Sequence, residues 1–283
     1  VYPQIVKDML YFMERKSDQD ILVSQLSSFS QPQKIIDSNT VDKDPTLSYD
    51  EKHIAYMSMR NGLPQLFIKE IETGKERVLF ANKGQEFALS KPVWDKENKR
   101  IASSINNKPF IIHLERGHFS IEWIDEVLGV PQAWYTNSDA ILFVDKSNHN
   151  DELVRLTLQN TQIKALNIQP KRNMYFLDNN DRLLFLTNGQ VVDHQSDEGL
   201  LSDPSKISRV HPAKNGFYYI YEQDNKPRIQ FYDYQQGIQK RSNEFDVFCE
   251  QYCGQITTIG NNLVLLKEER NSADILKLSV NEL

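Results

Sequence analysis

The chain has 283 residues, with 33 Lys and Arg against 39 Asp and Glu, for a formal net charge of -6. That length suits a single large all-β domain and is enough to bury a sizeable core. No basic tract stands out, which argues against nucleic-acid binding by this segment, and no apolar run approaches the ~18 residues that a membrane-spanning helix needs.

Along the chain, one phrase recurs at intervals of roughly forty residues, a period typical of arrays and propellers. Its first copy runs from Pro45 to Tyr56, its second from Pro92 to Ala102 and its third from Pro131 to Phe143. Each reads as a short strand, a polar turn and a second apolar strand. The second strand can be followed through Leu10, Ile54, Ile101, Ile141, Leu184, Tyr218 and Val264. A third strand follows through Ile21, Leu66, Phe110, Leu153, Val191, Ile229 and Ile275. The two ladders count the same seven units. A fourth strand is visible at Glu76 to Leu79 and at Gln162 to Leu166. Polar turns such as Arg60-Asn61-Gly62 and Lys146-Ser147-Asn148 separate the second and third strands, because Asn and Gly tolerate left-handed backbone angles.

Repeated four-stranded units with almost no helical periodicity predict an all-β chain forming a β-propeller. About seven four-stranded blades are expected, with six as the alternative, in one domain spanning residues 1–283. The fifth unit is weak, since the run from Asp193 to Gly199 reads as loop. The last unit ends after its third strand. The stretch Val1 to Val6 is expected to supply either its missing outer strand or the inner strand of the first blade.

No motif for chemistry emerges. There is no Gly-x-Ser-x-Gly elbow, no phosphate-binding glycine loop and no His-Glu-x-x-His pair. His113 and His118 lie near one another, but no third ligand sits at metal spacing, so both read as surface or strand residues. The acidic turn from Asp178 to Asp181 lacks the ordered ligand series of a calcium loop and reads as a solvated turn. No catalytic residue, cofactor site or metal site is assigned. Cys249 and Cys253 are too far apart for a disulfide if the segment is an extended strand. In a tight loop or helical turn the same pair can bridge. A disulfide and two unpaired thiols are both consistent with the sequence.

The first copy resembles the repeat of TolB-type propellers, in which Pro, Trp, Ser, Pro, Asp, Gly and Lys lead into Ile-Ala-Phe. Pro45, Ser48, Asp50, Lys52, Ile54 and Ala55 match, as do Pro92, Trp94, Lys99, Ile101 and Ala102 in the second copy. In the third, Trp134, Ile141 and Phe143 keep register, while Pro131 sits one residue early. The repeat's glycine is replaced by Glu51 and by Asn98. By their chemistry Pro45, Asp50, Pro92, Trp94, Pro131 and Trp134 are structural: Asp50 accepts turn amides, and the tryptophans wedge between blades. Divergent propellers of this kind occur as periplasmic domains of membrane-anchored winged-helix transcriptional regulators of the CadC/ToxR kind. The resemblance therefore implies a non-catalytic sensing or protein-binding domain on the extracytoplasmic side, the C-terminal part of a longer protein. Its partner would be a protein or small-molecule signal, and it would meet the membrane only through an upstream anchor. A free periplasmic TolB-like scaffold, or a propeller lyase or peptidase-associated domain, is the alternative.

Overall fold

A computed structural model of the chain describes residues 4–6, 9–25, 33–81, 87–137, 139–147, 151–168, 175–187, 190–196, 199–202, 207–213, 215–223, 226–244, 256–259 and 262–279. These residues contain strands and turns and no helix. Near the start lie β1 (Gln4–Val6), β2 (Met9–Gln25) and β3 (Gln33–Ile36). Sheet I follows, with β4 (Asp42–Leu47), β5 (His53–Ser58), β6 (Gln65–Glu70) and β7 (Glu76–Ala81). Sheet II holds β8 (Val93–Trp94), β9 (Arg100–Ile105), β10 (Lys108–Leu114) and β11 (Phe119–Trp123). Sheet III holds β12 (Gly129–Trp134), β13 (Ala140–Asp145), β14 (Glu152–Thr157) and β15 (Gln162–Ala165). Sheet IV holds β16 (Tyr175–Leu177), β17 (Leu183–Thr187), β18 (Gln190–Asp193) and β19 (Gly199–Ser202). Sheet V holds β20 (Ile207–Ala213), β21 (Gly216–Gln223), β22 (Lys226–Asp233) and β23 (Gly237–Glu244). The chain ends in β24 (Ile256–Ile259) and β25 (Asn262–Ser279).

All pairing in sheets I to V is between antiparallel sequence neighbours. Sheet VI is different, because both ends of the chain build it. Its order is β1-β2-β25-β24, with β3 also against β2. The first strands of the sheets contact one another in turn: β4 with β8, β8 with β12, β12 with β16, β16 with β20, β20 with β24, and β24 with β4. That closed circuit is the ring of a β-propeller.

The predicted ladders fit the five internal sheets. The anchors Ile54, Ile101, Ile141, Leu184 and Tyr218 lie in second strands, and Leu66, Phe110, Leu153, Val191 and Ile229 in third strands. The end units differ from the expectation. Leu10 and Ile21 share β2, Val264 and Ile275 share β25, and the two strands pair antiparallel along their length. The first and seventh predicted units are therefore one sheet, and the described residues form six sheets. The reason is physical: an isolated three-stranded end unit would leave a long edge unpaired, and pairing the two chain ends removes it. Gln4–Val6 sits on the outer side of that sheet, against Met9–Tyr11. The weak fifth unit is complete, since a turn at His194 to Ser196 leads into β19.

Burial follows the pleat. In β5, Ile54 and Tyr56 pack with Ile21 and Ile36 on the sheet VI side, while Ala55 and Met57 pack with Trp94, Ile101 and Phe110 of sheet II. In β13, Ile141 and Phe143 face Ala102 and Ile111 of sheet II, whereas Leu142 and Val144 face Leu177 and Leu183 of sheet IV. Alternate side chains point to opposite faces, and both faces are covered by neighbouring sheets. The early Pro131 is absorbed by a bulge: Pro131 opposes Phe143 and Ala133 opposes Leu142, so Gln132 is the extra residue.

Candidate functional site

The turns between the first and second strands converge at one mouth of the ring. In sheets I, II and IV the turn is held by a polar side chain just after the first strand. In sheet II, Asp95 is buried, and its Oδ1 accepts the amides of Lys99 at 2.8 Å and Arg100 at 3.0 Å, while Arg100 Nε donates to Oδ2 at 3.0 Å. In sheet IV, buried Asp178 does the same, accepting from Asn180 and Arg182 amides at 2.8 Å each and from Arg182 Nε at 2.9 Å. In sheet I the position is Ser48. Its Oγ accepts from His53 N at 3.0 Å and donates to Asp50 Oδ1 at 2.6 Å. Asp50 also accepts the Lys52 amide at 3.1 Å. Burial works against the Asp50 charge, yet these bonds hold the carboxyl below the usual range.

The turns also reach into one another. Asn98 Oδ1 of sheet II accepts the Tyr49 amide of sheet I at 2.6 Å. Asp181 Oδ1 of sheet IV accepts the Thr136 amide of sheet III at 2.7 Å and its hydroxyl at 2.8 Å. Lys96 of sheet II passes sheet III and donates to Asn179 Oδ1 of sheet IV at 2.6 Å. Its ammonium also lies 4.3 Å from the centre of the Tyr49 ring. Lys96 thus braces sheet II against sheets on both sides of it at the mouth. Burial lowers the amine to about 8, against the opposing pull of Asp181 and Asp178.

Beside the mouth, sheets III and IV part into a cleft of about 320 Å³. Tyr135, Arg155 and Lys164 line one wall, and Asp181, Arg182 and His194 line the other. The Arg155 guanidinium carbon sits 4.3 Å above the Tyr135 ring. Arg155 Nε is buried, and among the described residues it has no hydrogen-bond partner.

The prolines and tryptophans singled out in the sequence fall between the sheets, while Asp50 is exposed in its turn. Pro45, Pro92 and Pro131 are buried. Trp94 Nε1 donates to Thr46 O of sheet I at 3.1 Å, and Trp134 Nε1 donates to Val93 O of sheet II at 3.0 Å. Each indole thus ties its sheet to the one before. The turn from Asp178 to Asp181 is not the solvated turn expected: Asp178 is buried under Arg182, and Asp181 is spent on Thr136. His113 and His118 do not approach a common ligand; they pair with Glu122 and Glu115 respectively. Among the described residues, no cluster of three or more His, Cys, Asp or Glu is arranged to hold a metal ion. Cys249 and Cys253 lie outside the described residues.

Sequence reasoning missed Lys96, Asn179 and the cleft residues. Lys96 and Asn179 each directly follow the capping Asp in aligned turns, and that alignment was the available signal. Arg155 and Lys164 stand on neighbouring strands, and nothing local marks them.

No protein-family model and no curated protein sequence matches the chain. Solved structures do match. The putative TolB from Agrobacterium tumefaciens superposes with a TM-score of 0.62 at 11% identity, over 90% of this chain and 99% of that one. TolB from Acinetobacter baumannii gives 0.54 at 15% identity over 92% of this chain, which spans 65% of that protein's length. An oligogalacturonate lyase in complex with manganese gives 0.53 at 13% identity, over 83% of this chain and 79% of that one. The fold is that of the TolB-like β-propellers.

Proposed function

We propose that this chain is a non-catalytic binding propeller. The observation that carries the reading is the state of the mouth carboxylates. Asp50, Asp95, Asp178 and Asp181 all accept bonds from turn amides or neighbouring side chains. Groups so engaged make a rigid platform, and they are poorly placed to serve as general acids or bases. A platform of cross-braced turns suits recognition of a protein or small-molecule signal at the ring mouth. The resemblance of the repeat to periplasmic regulator domains extends the proposal. On it, the propeller is the extracytoplasmic domain of a membrane-bound transcriptional regulator, and occupancy of the mouth biases the geometry or association of the anchor.

Two measurements test this. Incubation with a panel of peptides and oligogalacturonates should give no turnover above buffer; turnover of either class assigns the propeller to an enzyme instead. Fractionation and protease protection of the full-length protein in cells should place this domain outside the cytoplasm behind an apolar helix. A cleaved signal peptide in that position supports the free scaffold and removes the regulator.

A further inference from the structure

We propose that the cleft between sheets III and IV is a binding site for the oxyanion, carboxylate or phosphate, of a small ligand, with Arg155 as its principal anchor. This reading is independent of any partner at the ring mouth.

Three features place it there. The first is size: a concavity of about 320 Å³ lies in the range of small-molecule sites. The second is charge. Among the described residues, Arg155, Lys164 and Arg182 bring three cations to the cleft, whose lining carboxylate is Asp181, while Asp178 and Asp193 lie against Arg182 alone. Asp178 is already committed to Arg182, with Oδ2 at 2.8 Å from Nη2, and Asp181 Oδ1 to Thr136. Among the described residues, no carboxylate pairs with Arg155 or Lys164. The third is the orphan donor. A guanidinium N–H buried without an acceptor is costly, and native structures rarely retain one without a use.

Geometry narrows the chemistry. The Tyr135 ring beneath the guanidinium fixes the plane of Arg155. A planar fork held in one orientation matches the two oxygens of a carboxylate or phosphate. Lys164, directly opposite Arg155 on the neighbouring strand, adds a second cation, and His194 closes the far wall. The fork sets orientation, and the ammonium adds attraction with little directional demand.

Isothermal titration of the whole chain with succinate and with inorganic phosphate, at constant ionic strength, tests the site. Saturable millimolar binding of at least one probe is expected, and the stronger of the two identifies the oxyanion class. Arg155→Lys keeps the charge and loses the fork, so it should weaken binding about tenfold. Lys164→Glu, on an exposed outer strand, should abolish binding while leaving the melting transition in place. No saturable binding of either probe overturns the proposal. So does equal affinity in Lys164→Glu, the variant that decides the matter if Arg155→Lys fails to fold.

Discussion

The left-handed turn residues show how one backbone angle can serve two purposes. Glu51 and Asn98 occupy the same place in successive repeats, and both have φ of 60°. An L-residue other than Gly is strained there. Asn98 returns something for that strain, because its Oδ1 holds the Tyr49 amide of the preceding turn. Asn98→Gly should therefore destabilise the fold by about 1 kcal/mol even though it relieves that angle. Urea unfolding of the variant checks this, and an unchanged or raised midpoint would refute it. Lys96 carries a second prediction. Burial lowers the folded-state amine from 10.5 to about 8. Between those values the unfolded chain holds a proton that the folded chain has released, so stability rises with pH across that window. The urea midpoint of the native protein relative to Lys96→Met should improve from pH 7 to pH 10; a constant difference would show that Lys96 does not titrate early. At pH 8, limiting acylating reagent followed by peptide mapping should find Lys96 among the first lysines modified.

Elements are set by alternation and by close approach. The second strand β13 was legible because both its faces are apolar, as a strand between two sheets must be. The fifth unit was harder to read, because β18 and β19 are short and a polar turn divides them. At the start of β21, an added Cβ on Gly216 would lie 1.8 Å from Tyr232 O, a backbone atom of the paired strand. Backbone in a ladder cannot give way as a side chain can. Gly216→Ala should cost about 3 kcal/mol. Gly199→Ala on β19, where nothing lies within 4 Å, should be nearly neutral. Thermal melts of the pair separate a steric cause from a general loss of backbone freedom, and equal melting temperatures would dismiss the steric account.

At the scale of the molecule, stability depends on sheet VI, where β2 and β25 join the chain ends. Ile21 of β2 also packs on Leu47 of sheet I, so the N-terminal strand closes the ring and seals one of its interfaces. Removing residues 1–25 would expose the full length of β25 as an edge. The truncated chain should lose its cooperative transition and associate on size-exclusion chromatography. A monodisperse product with an unchanged melt would show that the ring does not need this closure.

By itself, the sequence determined the repeat, the all-β class and the five internal units, because period-two alternation and polar turns are local signals written within each forty-residue copy. It also marked Trp94 and Trp134, whose size and spacing announce an interface. Only the tertiary structure decided that the two ends form one sheet. Residues such as Leu10 and Leu278 are paired across nearly the whole chain, and no local pattern reports such a pairing. The mouth and the cleft belong to the same category. Lys96 meets Asn179, and Arg155 faces Arg182 and His194, only because successive sheets pack side by side around the ring.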